Sequence, residues 1–338
     1  MKNEHTKTVA SFICSAKKLS SGEQLTIAPL SVKTEKHLVF TCDLESLGNG
    51  KILIGHGKDI TASSWIEITA EEISAFAYYT YMPEPLKPLF DTPIAHGMKI
   101  FDFLTVIIDA DAGSGDAFVL IGSPSGLKKL PLPNWDGCNG EIFAEVQGAA
   151  LKNCRLSWSS DGFARSVWVL GDSYLGTASA KRWPYYLLRD GYTNLMLSGF
   201  PGMGAQIAIE QFRTLVQKGT PEFALWCLGM NNGDKDGKIN ENYLSATEEF
   251  LAICKANGIT PVLSTIPSTP TVDNRYKNEW VRASGHRYVN FSRAVGAEKN
   301  VNWYESMLSA DLVHPDERGA EALYMQVLCD FPEIMQKS

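Results

Sequence analysis

From residue 166 onward the chain repeats one pattern: a short, almost wholly apolar run, then a helix-like segment. The runs lie at 166–171, 194–199, 223–229, 260–266 and 288–291, and helical segments follow at 178–189, 205–218, 242–257, 278–285 and 317–331. A strand with one wet face alternates polar and apolar residues; these runs do not, so both of their faces must be covered. Five such strands separated by helices predict a five-stranded parallel sheet sandwiched between helices, a three-layer α/β/α unit. In sheets of this kind ligands sit outside the carboxyl ends of the strands, which is where side chains bearing chemistry are to be sought.

Nothing of that kind precedes residue 160. Short apolar or alternating runs at 9–14, 24–27, 37–42, 51–54, 64–68, 73–81, 99–108, 117–121 and 141–146 are separated by turn chemistry at Gly48-Asn49-Gly50, at 111–115 and at Pro124-Ser125-Gly126. Many short strands without a long helix predict an all-β sandwich or jelly roll. The chain is thus expected to hold two domains, 1–160 and 161–338, and its 338 residues suffice for two cores.

Charge narrows the partners. The formal net charge is −7 and there is no basic run, so a nucleic-acid backbone would be repelled. No stretch has the ~18 apolar residues of a membrane span. The seven cysteines are scattered, with no Cys-x-x-Cys, and the six histidines never fall at metal-ligand spacing. Free buried thiols in a reducing compartment, no metal and no cofactor are therefore expected. The polar start, Met1 to Val9, is not a secretory leader, so the expected location is cytoplasmic, or exported if a leader has been removed.

The expected strand ends carry four informative stretches. Gly171-Asp172-Ser173 ends the first strand and sets a serine hydroxyl at the mouth of a strand-to-helix turn, beside backbone N–H groups with no helical acceptor. A serine is a weak nucleophile and needs a base. His314 is the histidine suited to that task, and Asp311, three residues earlier, is placed to orient it. Pro315 stiffens the chain before the last helix. Acyl transfer also needs donors aimed at a developing oxyanion. Ser173 N–H, a glycine N–H from the loop Gly199-Phe200-Pro201-Gly202-Met203-Gly204 and the side-chain amide of Asn231 can serve, with Gly202 favoured over Gly204. Asp172 fits a turn-holding role better than a catalytic one. Tyr174, Trp183 and Trp280 are candidates for stacking on a sugar ring.

Gly171-Asp172-Ser173, Gly202, Gly229-Met230-Asn231-Asn232 and Asp311-Leu312-Val313-His314 resemble, in order, the four blocks of the GDSL/SGNH hydrolases. The resemblance covers residues 165 to 335 and departs at Asn232, where the family pattern has an aspartate. It implies a flavodoxin-like fold and metal-free ester hydrolysis with Ser173 as nucleophile, His314 as base and Asp311 as its partner. An N-terminal sandwich before such a domain resembles some carbohydrate esterases, so an acylated small molecule or carbohydrate, with O-acetyl groups foremost, is the expected substrate. The other readings are a lipase or thioesterase and a non-catalytic glycan-binding protein.

Overall fold

A computed structural model describes residues 10–27, 36–57, 62–79, 83–97, 103–110, 117–132, 141–176, 179–299 and 301–337. Two compact units divide between Asp161 and Gly162. The expected strand segments at 9, 80–81 and 99–102, the turn at 111–115, the helix start at 178 and Cys138 lie outside the described residues.

The first unit holds two antiparallel sheets. One has the order β1 (Ala10–Leu19), β13 (Ala150–Ser160), β3 (Lys36–Ser46), β9 (Phe103–Ala110), β10 (Ala117–Ser123) and β11 (Gly126–Pro131). The other runs β2 (Gln24–Ile27), β12 (Ile142–Gln147), β4 (Lys51–His56), β5 (Ala62–Ile68), β6 (Glu72–Tyr79) and β7 (Leu86–Pro88), with β8 (Ile94–Ala95) also paired to β6. Period-two burial is clearest where Leu104, Val106 and Ile108 of β9 meet Val119 and Ile121 of β10. The sequence pattern misses β13, an 11-residue strand that pairs antiparallel with β1 on one side and β3 on the other. The reason is local: Asn153 sits at φ 49° and the register with β3 shifts between Lys152 and Arg155, so alternation is interrupted where it would be sought.

The second unit is a parallel sheet in the order β15 (Leu195–Gly199), β14 (Val167–Gly171), β16 (Phe223–Cys227), β17 (Thr260–Ser264) and β18 (Tyr288–Val289). Around it lie α1 (Trp183–Arg189), α2 (Ala205–Leu215), α3 (Glu241–Asn257), α4 (Arg275–Ala283), α5 (Phe291–Ala294) and α6 (Glu317–Asp330). Every residue of β14 and β15 is buried, as the apolar runs require. In chain order the strands read 2-1-3-4-5, so the direction of winding reverses beside β14 and opens a crevice at its carboxyl end. Close packing of the first two strands needs Gly199: a Cβ there would collide with the carbonyl of Gly171. Among the described residues no helix is long and apolar enough to cross a membrane.

Candidate active site

Ser173 opens a one-turn 3-10 helix, Ser173–Leu175, directly after β14. Asp172 caps that turn, its Oδ1 accepting from Tyr174 N at 3.1 Å, so the expected turn-holding role of Asp172 is what the geometry displays. Arg182 Nε donates to the Ser173 carbonyl at 2.8 Å and fixes the other side of the turn. The hydroxyl of Ser173 lies 2.8 Å from His314 Nε2, and His314 Nδ1 lies 2.7 Å from Asp311 Oδ2. A carboxylate can only accept, so Nδ1 carries the proton and Nε2 is left to accept from Ser173.

The His314 loop is held from within and from outside. Asp311 Oδ1 accepts from Val313 N and His314 N, each at 2.9 Å, and from Ser309 Oγ at 2.8 Å. Burial alone would raise the Asp311 pKa, but these donors and the His314 ring outweigh it and hold the carboxyl well below the usual carboxylate range. To close the loop Leu312 adopts φ 58°, a left-handed conformation unusual for a branched side chain. From outside, Tyr174 Oη donates to Val313 O at 2.5 Å and Thr271 Oγ1 to Leu312 O at 3.2 Å. After Pro315, Asp316 caps α6 by accepting from Glu317 N at 2.7 Å.

The donor side is built from two loops. Phe200-Pro201-Gly202-Met203 forms a tight turn, with Met203 N donating to Phe200 O at 3.1 Å. Its third position needs positive φ, which Gly202 supplies at 82°. Gly204 instead caps α2 at its amino end. Asn231 lies on the 3-10 turn Met230–Asn232 after β16, and its Nδ2 donates to Met203 O at 3.0 Å and reaches Asp172 Oδ2 at 3.4 Å. The side chains of Asn231 and Asp172 and the Gly202 turn are thereby linked beside Ser173. Asn232, where the GDSL pattern has an aspartate, uses both ends of its amide: Oδ1 caps α2 at Ala205 N, 2.8 Å away, and Nδ2 donates to Gln206 Oε1 at 3.1 Å.

Two sugar-stacking expectations need correction. Tyr174 is buried and its hydroxyl is spent on Val313 O. Trp183 is 1% exposed and packs against Phe291, within the core that also takes Leu187, Leu323 and Val327. Amphipathic α1 turns Trp183 inward, as the 3-10 turn Ser173–Leu175 does Tyr174, so both rings are packed in the core. Trp280 is half-buried on α4.

Beneath the site is a small apolar cavity of about 20 Å³, lined by Asp172, Tyr174, Trp183, Met230 and Ile266 among others. In these surroundings burial pushes the Asp172 carboxyl up to about 7, against the pull of the Tyr174 N–H and of Arg182. Sequence reasoning also missed Lys277. It lies in the charge-dense segment Arg275–Ala283, where a lysine reads as solvated, yet its side chain is fully buried. Burial draws the ammonium down to about 8, with Asp234 pulling the other way from 3.8 Å. Among the described residues no group of three or more His, Cys, Asp or Glu is placed to hold a metal ion.

No family model and no curated protein matches the sequence. Solved structures of GDSL-family lipolytic proteins and esterases match about half of it. A lipolytic protein of the G-D-S-L family from Desulfitobacterium hafniense is 16% identical, with TM-score 0.41, covering 48% of this chain and 98% of its own. A GDSL-like lipase from Bacteroides thetaiotaomicron is 18% identical, with TM-score 0.39, covering 49% of this chain and 87% of its own. A carbohydrate esterase of family 3 from Talaromyces cellulolyticus is 17% identical, with TM-score 0.40, covering 51% of this chain and 98% of its own.

Proposed function

We propose that the protein is a serine ester hydrolase working through Ser173, His314 and Asp311. The observation that carries this reading is the unbroken hydrogen-bonded chain from Ser173 Oγ through His314 to Asp311, at 2.8 and 2.7 Å. His314 Nε2 takes the hydroxyl proton as Oγ attacks the ester carbonyl carbon. The carbonyl oxygen becomes an oxyanion, met by Ser173 N–H, Gly202 N–H and the Asn231 amide. When the tetrahedral species collapses, the proton passes from His314 to the departing alcohol oxygen, and an acyl-serine ester remains. His314 then takes a proton from water, whose oxygen attacks the acyl carbon; collapse returns the proton to Ser173 and frees the acid. Asp311 keeps the ring in the tautomer that both halves of the reaction need.

For the substrate we propose O-acetyl or other short O-acyl groups, borne on a carbohydrate. The support is the resemblance of the two-unit layout, an antiparallel β unit before the α/β unit, to that of some carbohydrate esterases, an analogy of architecture. Hydrolysis of p-nitrophenyl acetate and of longer p-nitrophenyl esters, then of acetylated sugars, tests both levels. Ser173→Ala and His314→Ala are expected to lose at least ~10³-fold in kcat while unfolding as the wild type does. Wild-type-like turnover in either variant refutes the triad. An optimum at long acyl chains points to a lipase or thioesterase, and absence of Ser173 labelling by a fluorophosphonate to a binding protein.

A further inference from the structure

The Asn231 turn has an unusual support beneath it. The 3-10 turn Met230–Asn232 is bracketed by the carbonyls of Gly229 and Asn232, and Lys277 Nζ donates to both, at 2.8 and 2.5 Å. The third ammonium proton goes to Asn274 Oδ1 at 2.7 Å. Three donors thus meet three acceptors, two of them at the ends of a single turn. The lysine stem lies close against the loop as well: a Cβ on Gly229, which sits at φ 133°, would be 3.2 Å from Lys277 Cδ. The Asp234 carboxylate takes the Tyr276 and Lys277 amide protons at 2.9 and 3.1 Å, so the helix bearing the lysine is fastened to the chain just past the turn. An ammonium with 0% side-chain exposure is costly to bury, and here each of its three protons meets an acceptor.

We propose that Lys277 is a positioning residue for the oxyanion hole: by gripping both ends of the 229–232 turn it sets the backbone from which the Asn231 amide is aimed. This rests on the esterase reading above. Lys277 touches neither substrate nor the Ser173–His314–Asp311 chain, and acts through Asn231 alone. The grip fixes where the Asn231 amide starts from, while Met203 O fixes which way it turns.

The test is a double-mutant cycle on the full chain, with Asn231→Ala and Lys277→Met measured singly and together for kcat and KM on p-nitrophenyl acetate. Fluorophosphonate labelling of wild-type Ser173 comes first; if it fails, the esterase reading falls, whatever Lys277 does. With labelling intact, Lys277→Met is expected to lower kcat by about 10- to 100-fold with KM changed less than about threefold, and to have almost no further effect once Asn231 is alanine. Equal losses in both backgrounds overturn the proposal, since Lys277 would then act independently of Asn231. So does a wild-type rate in Asn231→Ala. Lys277→Gln, which keeps two donors, is run in the same cycle in case the methionine variant does not fold; failure of both to fold also overturns the proposal, making Lys277 a folding residue.

Discussion

Replacing Asp311 by asparagine separates the two tasks of this carboxylate. One oxygen, Oδ1, holds the loop through Val313 N, His314 N and Ser309 Oγ, and the other, Oδ2, faces His314 Nδ1 at 2.7 Å. Asp311→Asn can keep the first set with its own oxygen and then presents an amide nitrogen to the ring. That nitrogen cannot accept a proton, so the imidazole is driven to the tautomer with hydrogen on Nε2, the atom that must accept from Ser173. The charge opposite the imidazolium is lost too. Two unit charges about 4 Å apart attract by about 1 kcal/mol in water and about 4 kcal/mol at the effective dielectric of a protein surface. With its side chain 52% exposed, Asp311 belongs between these limits. A loss of about 2 to 3 kcal/mol of transition-state stabilisation corresponds to roughly 30- to 150-fold in rate, and the wrong tautomer takes the expected total to about 10³-fold. The backbone bonds survive, so unfolding free energy should change by less than ~1 kcal/mol. Steady-state kcat on p-nitrophenyl acetate and a urea unfolding curve supply the two readings. A variant that unfolds normally and turns over within about threefold of the wild type refutes the orienting role.

Asp172 titrates in the opposite sense. Its folded pKa, about 7, lies above its ordinary value of 3.8, so the folded state favours the proton; stability from this group is full below about pH 3.8, falls as pH rises from there through 7, and is lower by about 4 kcal/mol once the loss is complete. Asp172→Asn should remove that decline, and unfolding curves of the two proteins from about pH 5 to 9 that keep a constant separation would count against it. Gly199→Ala should destabilise by ~3 kcal/mol or more, or abolish folding, because the new methyl meets the Gly171 carbonyl of the neighbouring strand; an unchanged melting temperature would contradict the packing. Asn232→Asp should keep kcat within about threefold, since a carboxylate oxygen can still cap α2 at Ala205 N; a large loss would mean that the bond to Gln206 matters more than the cap.

Ser173 and Asn231 were picked out because ligands of such a sheet sit at its strand ends, and the apolar runs before them marked where those ends fall, at β14 and β16; His314 was picked out by its chemistry alone. The alternation between strand and helix gave the architecture of the second unit almost residue by residue: the expected helix at 205–218 stands as α2, Ala205–Leu215, and the run at 223–229 as β16, Phe223–Cys227. Helix α1 begins later than expected, at Trp183, where Pro184 fits its first turn. What sequence could not show was direction. Composition does not say that Trp183 turns into the core or that Lys277 turns under a loop; both follow from which face of a helix meets the sheet, a tertiary fact. Strand β13 was hidden for a different reason, an interrupted period, and the short edge strands β7 and β8 carry too few residues for a period at all.

Ser173 and His314 are 141 residues apart in the chain, on either side of nearly the whole α/β unit. At synthesis rates of about 5 to 20 residues per second, about 7 to 28 seconds separate the appearance of Ser173 from that of His314. On the proposed mechanism the serine lacks its base throughout that interval and acquires it only when the loop ahead of α6 is seated against Tyr174 and Thr271. On the proposed mechanism, hydrolysis would report on folding: a chain that turns over substrate would have closed its last loop, and a nascent or truncated one would be silent.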